Sequence, residues 1–245
     1  MAAGRTLGDR MKDYESCFDY KFIRSLPMIV RLDGRAFHSW TRKTGCSKPF
    51  DQQMIKLMAD TTRFLCENCS GCVLGYTQSD EISLLFLDDN SGSTTAWFDK
   101  RVQKLVSLTA SMASCYFNTH NPYPVKYPAF FDSRAFVIPK EDIQGYFIWR
   151  QNDATKNSLS MLAQSLCSYR DLIGKKREQL MDICWQKGHN WNNLSVQEKR
   201  GTAVYKTEVK KNTAHGEVVR KKFIVDENTP IFSADDCTLF ERILS

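Results

Sequence analysis

The sequence predicts an α+β fold of the ferredoxin-like type, a βαββαβ order of elements that forms one antiparallel sheet. Three observations predict it. An apolar run at residues 28–32 ends at an acidic residue, a helical pattern follows from residue 50, and two further apolar runs are joined by a short polar turn. A second helical pattern and a last strand complete the order. In such a fold the helices cover one face of the sheet, and we expect the other face to be free for a substrate.

The first half of this pattern is the clearest. The run Met28-Ile29-Val30-Arg31-Leu32 reads as a buried strand that leads directly into Asp33. Asp51 is a candidate N-cap for the helix that follows, and Ser70-Gly71 ends that helix. Its apolar stripe consists of Met54, Leu57, Met58, Thr61 and Leu65.

The second half repeats the pattern. Two strands at residues 73–76 and 82–87 flank the turn Gln78-Ser79-Asp80-Glu81. The strand at residues 135–138 is stopped by Pro139. The second helix is predicted from a stripe formed by Phe98, Val102, Leu105, Thr109, Met112 and Tyr116.

The C-terminal part reads as an extension of this core. Residues 141–186 have a helical pattern, and residues 202–225 read as a hairpin that turns through residues 212–216. We therefore expect a catalytic core at residues 1–140 and a helical and hairpin extension at residues 141–245, packed together as one unit.

Charge is unevenly spread along the chain. The net charge is +6, and residues 175–222 hold twelve Lys and Arg against five Asp and Glu, a local balance of +7. A basic segment on a nearly neutral body indicates either a polyanionic partner held through phosphate contacts or a solvated basic face. No apolar run is long enough to span a membrane and the N-terminus carries no apolar signal segment, so a cytoplasmic protein is expected.

Three of the nine cysteines have the spacing of metal ligands. Cys66, Cys69 and Cys72 lie within seven residues, but no second matching pair accompanies them. Without a secretion signal, reduced thiols are expected. The alternative to a metal site is that Cys66 ends a helix and Cys72 begins a strand.

Two acidic motifs carry the predicted chemistry. Asp33 follows the first strand, Asp80 lies between the second and third, and the first and third strands are neighbours in this topology. Two such carboxylates, with the backbone carbonyl of Gly34, would hold two Mg²⁺ ions that handle a nucleoside triphosphate. The alternatives are an ordinary turn after a strand and a polar hairpin tip. Alternation places Glu81 on the opposite face from Asp80, in a supporting role.

Residues around these acids are candidates for triphosphate contacts. Backbone amides at residues 34–38 and the hydroxyl of Ser79 are placed for phosphates, and Lys48 precedes a helix. His38 is either a nucleotide contact or a packed histidine. A basic edge on the second helix, otherwise a solvated face, consists of Lys100, Arg101 and Lys104.

These motifs together resemble the tRNA(His) guanylyltransferase superfamily. The matching residues occur in the expected order from residue 31 to about residue 202. They are the block Arg31-Leu32-Asp33-Gly34-Arg35-Ala36-Phe37-His38, Lys48-Pro49, Gln78-Ser79-Asp80-Glu81, Trp97-Phe98 with Lys104, Ala110-Ser111, Ala113-Ser114, Tyr127-Pro128, Phe131-Asp132 with Arg134, Trp149-Arg150-Gln151 and Arg200-Gly201-Thr202.

The resemblance implies a fold like a polymerase palm and addition of nucleotides in the 3′-to-5′ direction. The 5′ end of tRNA is activated with ATP, and the 3′-hydroxyl of an incoming nucleotide, GTP or another NTP, attacks it. The resemblance further implies a homo-oligomer, in the family a tetramer. It makes Asp33, Asp80 and Glu81 catalytic and Asp33, Gly34 and Asp80 ligands of two Mg²⁺ ions. The implied nucleotide contacts are Asp33, Gly34, Arg35, Ala36, Phe37, His38, Lys48, Ser79, Asp80, Lys104 and Asn157.

For the RNA we expect contacts from basic residues near the acids and in the C-terminal half. These are Arg31, Lys100, Arg101, Arg134, Lys175, Lys176, Arg177, Arg200, Lys210, Lys211, Arg220, Lys221 and Lys222.

One segment departs from the eukaryotic guanylyltransferases. After Trp149-Arg150-Gln151 they carry a His-Ile-Asn-Asn-Leu-Tyr-Asn-Thr stretch, of which this chain keeps only Asn157 and Leu159. The pattern is similar to the guanylyltransferase-like proteins, which repair 5′-truncated tRNAs by template-directed addition. The alternatives are a tRNA(His) guanylyltransferase proper, a palm-type nucleotide cyclase or dinucleotide synthase, and a non-catalytic RNA-binding module.

Overall fold

A computed structural model describes residues 5–88, 96–123, 127–213 and 216–244. Its helices and strands, in chain order, are α1 (Leu7–Ser16), β1 (Met28–Gly34), α2 (Phe37–Thr44), α3 (Gln52–Asn68), β2 (Cys72–Gln78), β3 (Glu81–Phe86), α4 (Val102–His120), β4 (Phe131–Val137), α5 (Ile143–Leu166), α6 (Tyr169–Leu172), α7 (Arg177–Gln186), α8 (Val196–Arg200), β5 (Thr202–Thr213), β6 (Gly216–Asp226) and α9 (Leu239–Leu244).

All six of these strands belong to one sheet, in the order β4-β1-β3-β2-β5-β6, and every neighbouring pair is antiparallel. The predicted α+β class is therefore confirmed. The predicted neighbours β1 and β3 pair from Met28 opposite Phe86 to Asp33 opposite Glu81. The C-terminal hairpin joins the same sheet, because β5 pairs with β2 from Leu74 opposite Tyr205 to Thr77 opposite Thr202.

The first face of the sheet is covered by α2, α3 and α4. Alternate residues of the strands point to this side. Aromatic side chains, among them Phe37 and Phe117, pack against each other between the helices and the sheet. Asp51 caps α3 as predicted, since its Oδ1 accepts a hydrogen bond from the backbone amide of Met54 at 3.0 Å. The buried strand residues of this face are Met28, Val30, Leu32, Ile82, Leu84 and Phe86.

The second face is covered by α5 and the C-terminal segment, so the expectation that it would be free is wrong. Ile143 and Phe147 of α5 pack with Phe232 and Phe240 over the other set of strand residues. The cause is the apolar side of α5, which must be buried against another element. The cover is incomplete at one end, where the strand residues are polar. The strand residues beneath it are Ile29, Leu74, Tyr76, Leu85 and Ala203.

The second helix begins later than its apolar stripe predicts. Residues Phe98, Asp99 and Lys100 have φ values near +50°, so helical geometry starts only at Val102. Lys100 turns inward as a result. Its Nζ donates to the carbonyl oxygens of Ile23, Arg24 and Leu26 and pairs with Asp88 at 2.7 Å.

Four helices, α1, α2, α8 and α9, have no counterpart in the sequence prediction. Helix α1 has no buried residue, and α2 follows β1 almost directly. Across the described ranges, no helix combines the length and apolar character needed to cross a bilayer.

Candidate active site

A row of polar side chains crosses the sheet at the end of the α5-covered face. Asp33 of β1 lies opposite Glu81 of β3 and opposite Asp132 of β4, and Glu81 lies opposite Gln78 of β2. Residues directly opposite in antiparallel strands share a face, with Cβ atoms about 4.5–5.5 Å apart. The register therefore places three carboxylates side by side. We call Asp132, Asp33, Glu81 and Gln78 the acidic row.

Asp80 joins this row from the turn between β2 and β3. Its carbonyl oxygen accepts a hydrogen bond from the backbone amide of Gly34 at 3.1 Å, which ties the turn to the end of β1. Ser79 has φ of 50°, and its Oγ donates to Oδ1 of Asp80 at 3.0 Å. Burial raises the pKa of Asp80, the Ser79 hydroxyl opposes that rise, and the charge of Asp33 adds to it. The predicted convergence of the two acidic motifs is thus present in the fold.

Glu81 is held by an arginine to which the sequence alone assigns no role. Nη1 of Arg150, on α5, lies 2.8 Å from Oε2 of Glu81, and both side chains are largely buried. Burial raises the pKa of Glu81, while the charges of Arg150 and Arg31 lower it. The second oxygen of Glu81, Oε1, is buried and has no hydrogen-bond partner among the described groups.

Gly34 is required by close packing rather than by a turn. A Cβ at this position would lie 2.3 Å from the ring of Phe37, well inside any allowed contact. Phe37 itself packs against Trp40 and Phe131. The chain can therefore bend from β1 into α2 directly beside Asp33 only with glycine here.

The acids fit a nucleotide-bound magnesium ion better than a protein-enclosed metal. Within the part of the chain that the structure describes, no group of three or more His, Cys, Asp or Glu residues is arranged to hold a metal. Magnesium that serves nucleotides uses one or two carboxylates and takes its other ligands from water and phosphate. The pKa of Asp80 is raised mainly by burial and further by the charge of Asp33, and a divalent cation would offset both the burial of the charge and the repulsion.

A cavity of about 500 Å³ opens beside Asp80. Its walls come from α2, from the segment that leads into α3, from α5 and from α8. The lining residues are Phe37, His38, Thr41, Cys46, Ser47, Lys48, Pro49, Phe50, Asp51, Met54, Ile55, Gln78, Ser79, Asp80, Ala154, Asn157, Ser158, Met161, Gln164, Ser165, Gln197, Glu198 and Gly201.

The cavity collects most of the residues predicted to contact a nucleotide. Phe37, His38, Lys48, Ser79, Asp80 and Asn157 all line it. Asp33, Gly34, Arg35 and Ala36 are outside the lining set but adjoin it along the chain. Lys104 lies elsewhere, on α4, with its Nζ 5.7 Å from the ring centroid of Phe98. The structure therefore does not bring Lys104 to the cavity.

The predicted RNA-contacting residues fall into separate groups. Arg31 shares the α5-covered face with the acidic row, and Arg134 lies opposite it on β4 with its Nη2 3.2 Å from Asp132. Arg200 ends α8 beside the cavity-lining Gly201. The exposed clusters are Lys175, Lys176 and Arg177 before and at the start of α7, and Arg220, Lys221 and Lys222 on β6. The side chains of Lys210 and Lys211 lie outside the described residues.

The prediction that Lys100, Arg101 and Lys104 form one exposed basic edge is wrong. Lys100 is only 2% exposed, because three backbone carbonyls and Asp88 surround its ammonium group. Nε of Arg101 lies 3.0 Å from Asp19. Lys100 therefore holds the N-terminal segment in place and is not available to RNA.

The three clustered cysteines lie where the alternative to a metal site places them, around the end of a helix and the start of a strand. Cys66 lies near the end of α3, Ser70 and Gly71 form the turn, and Cys72 begins β2. All three thiols are buried. Burial raises the pKa of the Cys66 and Cys69 thiols, so the protonated form is favoured.

Sequence reasoning missed two members of the site. Asp132 and Arg150 stand in the quoted motifs, but neither was given a role. Asp132 was missed because the apolar run predicts a strand only at residues 135–138, whereas β4 begins at Phe131. The pairing of Arg150 with Glu81 joins residues 69 positions apart and has no local signal.

Comparisons with known proteins point to one family. The model of the family described as tRNAHis guanylyltransferase matches residues 8–139. A bacterial tRNA(His) guanylyltransferase-like protein in complex with ATP is 40% identical, with a TM-score of 0.86 over 97% of this chain and 98% of that one. A bacterial protein of the same description in complex with GTP is 38% identical, with a TM-score of 0.80 over 98% and 99%. The probable tRNA(His) guanylyltransferase of Mus musculus is 30% identical over 72% of this chain, which spans 63% of the mouse protein.

Proposed function

Because this chain belongs to the tRNA(His) guanylyltransferase family, we propose that it is a nucleotidyltransferase that adds nucleotides to the 5′ end of truncated tRNA. The addition proceeds in the 3′-to-5′ direction and is directed by the opposite strand. One observation carries the proposal: Asp80 belongs both to the wall of a nucleotide-sized cavity and to the carboxylates gathered around Asp33.

The cavity is the site for the incoming nucleoside triphosphate. Its volume of about 500 Å³ is within the usual range for small-molecule sites, and its walls combine apolar side chains with amides and hydroxyls. Lys48 supplies a positive charge for phosphate, and Ser79 supplies a hydroxyl. The similar bacterial proteins hold ATP and GTP, which supports the same ligands here.

Asp33, Asp80 and the carbonyl of Gly34 are the groups that would hold magnesium. When bound, two such ions lower the pKa of an attacking hydroxyl and neutralise charge on the transferred phosphoryl group. The protein residues supply position: Ser79 orients Asp80, and Arg150 keeps Glu81 in place beside Asp33. The 3′-hydroxyl of the nucleotide is thereby held near the RNA 5′ end.

Repair of truncated tRNA is favoured over addition of a single G to tRNA(His) by the wall of the cavity. The segment that departs from the eukaryotic sequence lies on α5, and Ala154, Asn157, Ser158 and Met161 from that segment line the cavity. Asn157 is additionally within 3.4 Å of Asp153, which lies 3.5 Å from Arg150. We infer that the changed side chains of this wall alter which nucleotide geometry is accepted.

The test is an extension assay on tRNA that lacks its first 5′ nucleotide. The RNA carries a 5′-monophosphate, and ATP and each NTP are supplied in separate reactions with each of the four templating bases opposite the gap. We expect incorporation of the Watson–Crick complement in every case, with Mg²⁺ required. Addition of G regardless of the opposite base would favour a tRNA(His) guanylyltransferase proper, and a cyclic or dinucleotide product without RNA would favour a cyclase.

A further inference from the structure

An exposed tryptophan stands beside the acidic row. Trp149 of α5 is 52% exposed, although its neighbours Ile148 and Arg150 are more buried. The guanidinium carbon of Arg150 lies 3.5 Å from the centroid of the indole ring, so one face of the ring is covered. The guanidinium carbon of Arg31 lies 5.8 Å from the same centroid. Because half of the side chain is still exposed, the ring keeps an accessible surface.

The two arginines that contact Trp149 place it next to the acidic row. Arg31 precedes Asp33 by two residues on the same face of β1, about 7 Å along the strand. Arg150 bonds to Glu81, which lies opposite Asp33. Farther along α5, Ala154 and Asn157 line the cavity. Along this one helix, the order is therefore Trp149, then the acidic row, then the nucleotide cavity.

This arrangement has the chemistry of a base-stacking platform. Aromatic side chains next to a positively charged track bind unpaired or terminal bases, because every base offers a π-face and the cations attract phosphate. Arg31, which contacts Trp149, lies opposite Arg134 of β4, and Arg134 is half-exposed. This cationic, aromatic surface, on the far side of the acids from the nucleotide cavity, is suited to the second reactant, the RNA 5′ end.

We propose that Trp149 is the platform on which the base of the RNA 5′-terminal nucleotide stacks while its phosphate lies at Asp33 and Asp80. This inference rests on the proposed function. It adds the residue that positions the RNA, as distinct from those that hold the nucleoside triphosphate. Stacking at this point fixes the distance between the activated 5′ end and the acids.

The experiment compares Trp149→Ala with a matched control, Trp185→Ala. Trp185 is 67% exposed on α7 and contributes nothing to the acidic row or to the cavity. Affinity for a 5′-truncated tRNA is measured by fluorescence anisotropy, and affinity for ATP by calorimetry. We expect Trp149→Ala to weaken RNA binding by between about fivefold and 150-fold, the range for loss of one base stack. ATP affinity should be unchanged, and Trp185→Ala and Trp149→Phe should remain near the wild type.

A second measurement separates stacking from a packing role of the indole next to Arg150. The RNA is prepared with an abasic 5′-terminal nucleotide, and its affinity is measured with wild type and Trp149→Ala. If the base stacks on Trp149, the abasic RNA binds wild type as weakly as intact RNA binds the variant, and combining both changes adds no further loss. Additive losses, or unchanged binding by Trp149→Ala, would overturn the inference. Failure of the wild type to extend an RNA that it binds would instead overturn the proposed function.

Discussion

The two faces of the sheet are built from the same strands but differ in the kind of side chain they carry. On the face under α3 and α4, β1 contributes Met28, Val30 and Leu32, all nearly or fully buried and apolar. On the face under α5, the intervening residues begin with Ile29 and then become Arg31 and Asp33. One face is apolar along its length, whereas the other changes from apolar to charged.

This difference shows how the fold separates stability from chemistry. Since side chains alternate along a strand, one short segment can serve the core with one residue and the site with the next. The apolar face holds the strands in register, and the register then sets the spacing of the acids on the other side. Substitutions on the apolar face should therefore lower stability, whereas substitutions of Asp33 and Asp80 should remove activity and keep the fold.

The largest effect is expected at Asp33. Asp33→Asn should lower nucleotide addition by roughly a thousandfold or more, because a metal ligand contributes several kcal/mol to the transition state. The fold should be kept, since Asp33 does not contribute to either apolar cluster. Leu32→Ala, on the opposite face of the same strand, is the control and should lower the free energy of unfolding by about 2–5 kcal/mol. Activity retained by purified Asp33→Asn would contradict the proposal that Asp33 is a metal ligand.

The next effect is expected at the buried ion pair. Arg150→Met leaves the buried carboxylate of Glu81 without its partner, and removal of one member of such a pair costs about 3–5 kcal/mol of stability. Chemical denaturation measures this loss. The double variant Arg150→Met with Glu81→Gln should recover most of it, because no uncompensated charge is then buried. Equal stability of the single and double variants would show that the pair does not stabilise this end of the sheet.

A smaller effect is expected at the exposed basic clusters. Replacing Lys175, Lys176 and Arg177 with Gln should reduce the dependence of tRNA affinity on salt, by up to about 0.9 units of log–log slope for each RNA phosphate that the variant no longer neutralises. The same substitution at Arg220, Lys221 and Lys222 tests the β6 edge. Lys56→Gln is the control, since this lysine is exposed on α3 and pairs with Asp60. A slope equal to that of wild type would exclude the cluster concerned from the RNA interface.

The smallest effect is a gain of stability at Asp80. The folded protein raises the pKa of this carboxyl, so its stability contribution is present at acid pH and is lost as the pH rises through the raised pKa. At neutral pH the charged form therefore destabilises the fold. Asp80→Asn should raise the melting temperature at neutral pH, by about 2–4 °C for each kcal/mol that burial of the charge and its repulsion by Asp33 cost, and less at acid pH. The same variant should lose nucleotide addition. A lower melting temperature at neutral pH would contradict the destabilisation assigned to the buried charge of Asp80.

The parts of this fold that could be predicted from the sequence are those that depend on local patterns of residues. Strand alternation and the order of elements predicted that β1 and β3 are neighbours, and the convergence of Asp33 and Asp80 followed from that order. The inward turn of Lys100 was not predictable, because the helical spacing from Phe98 continues through three residues whose backbone is left-handed. An apolar stripe says that α5 is buried but not against which face, so the cover over the second face was also missed.

The backbone on both sides of the acids has a conformation that is costly for residues other than glycine. Ala36 and Ser79, one on each side of the carboxylates, both have φ near +50°, a region that glycine enters freely and that costs other residues of order 1 kcal/mol or more. Glycine at position 36 or 79 would remove that cost but would also increase the number of backbone conformations open to the loop. The chain instead keeps a methyl group and a hydroxymethyl group there, which reduces that number. The backbone that carries Asp33 and Asp80 is thus held less stably, and more rigidly, than the same backbone built with glycine at these two positions.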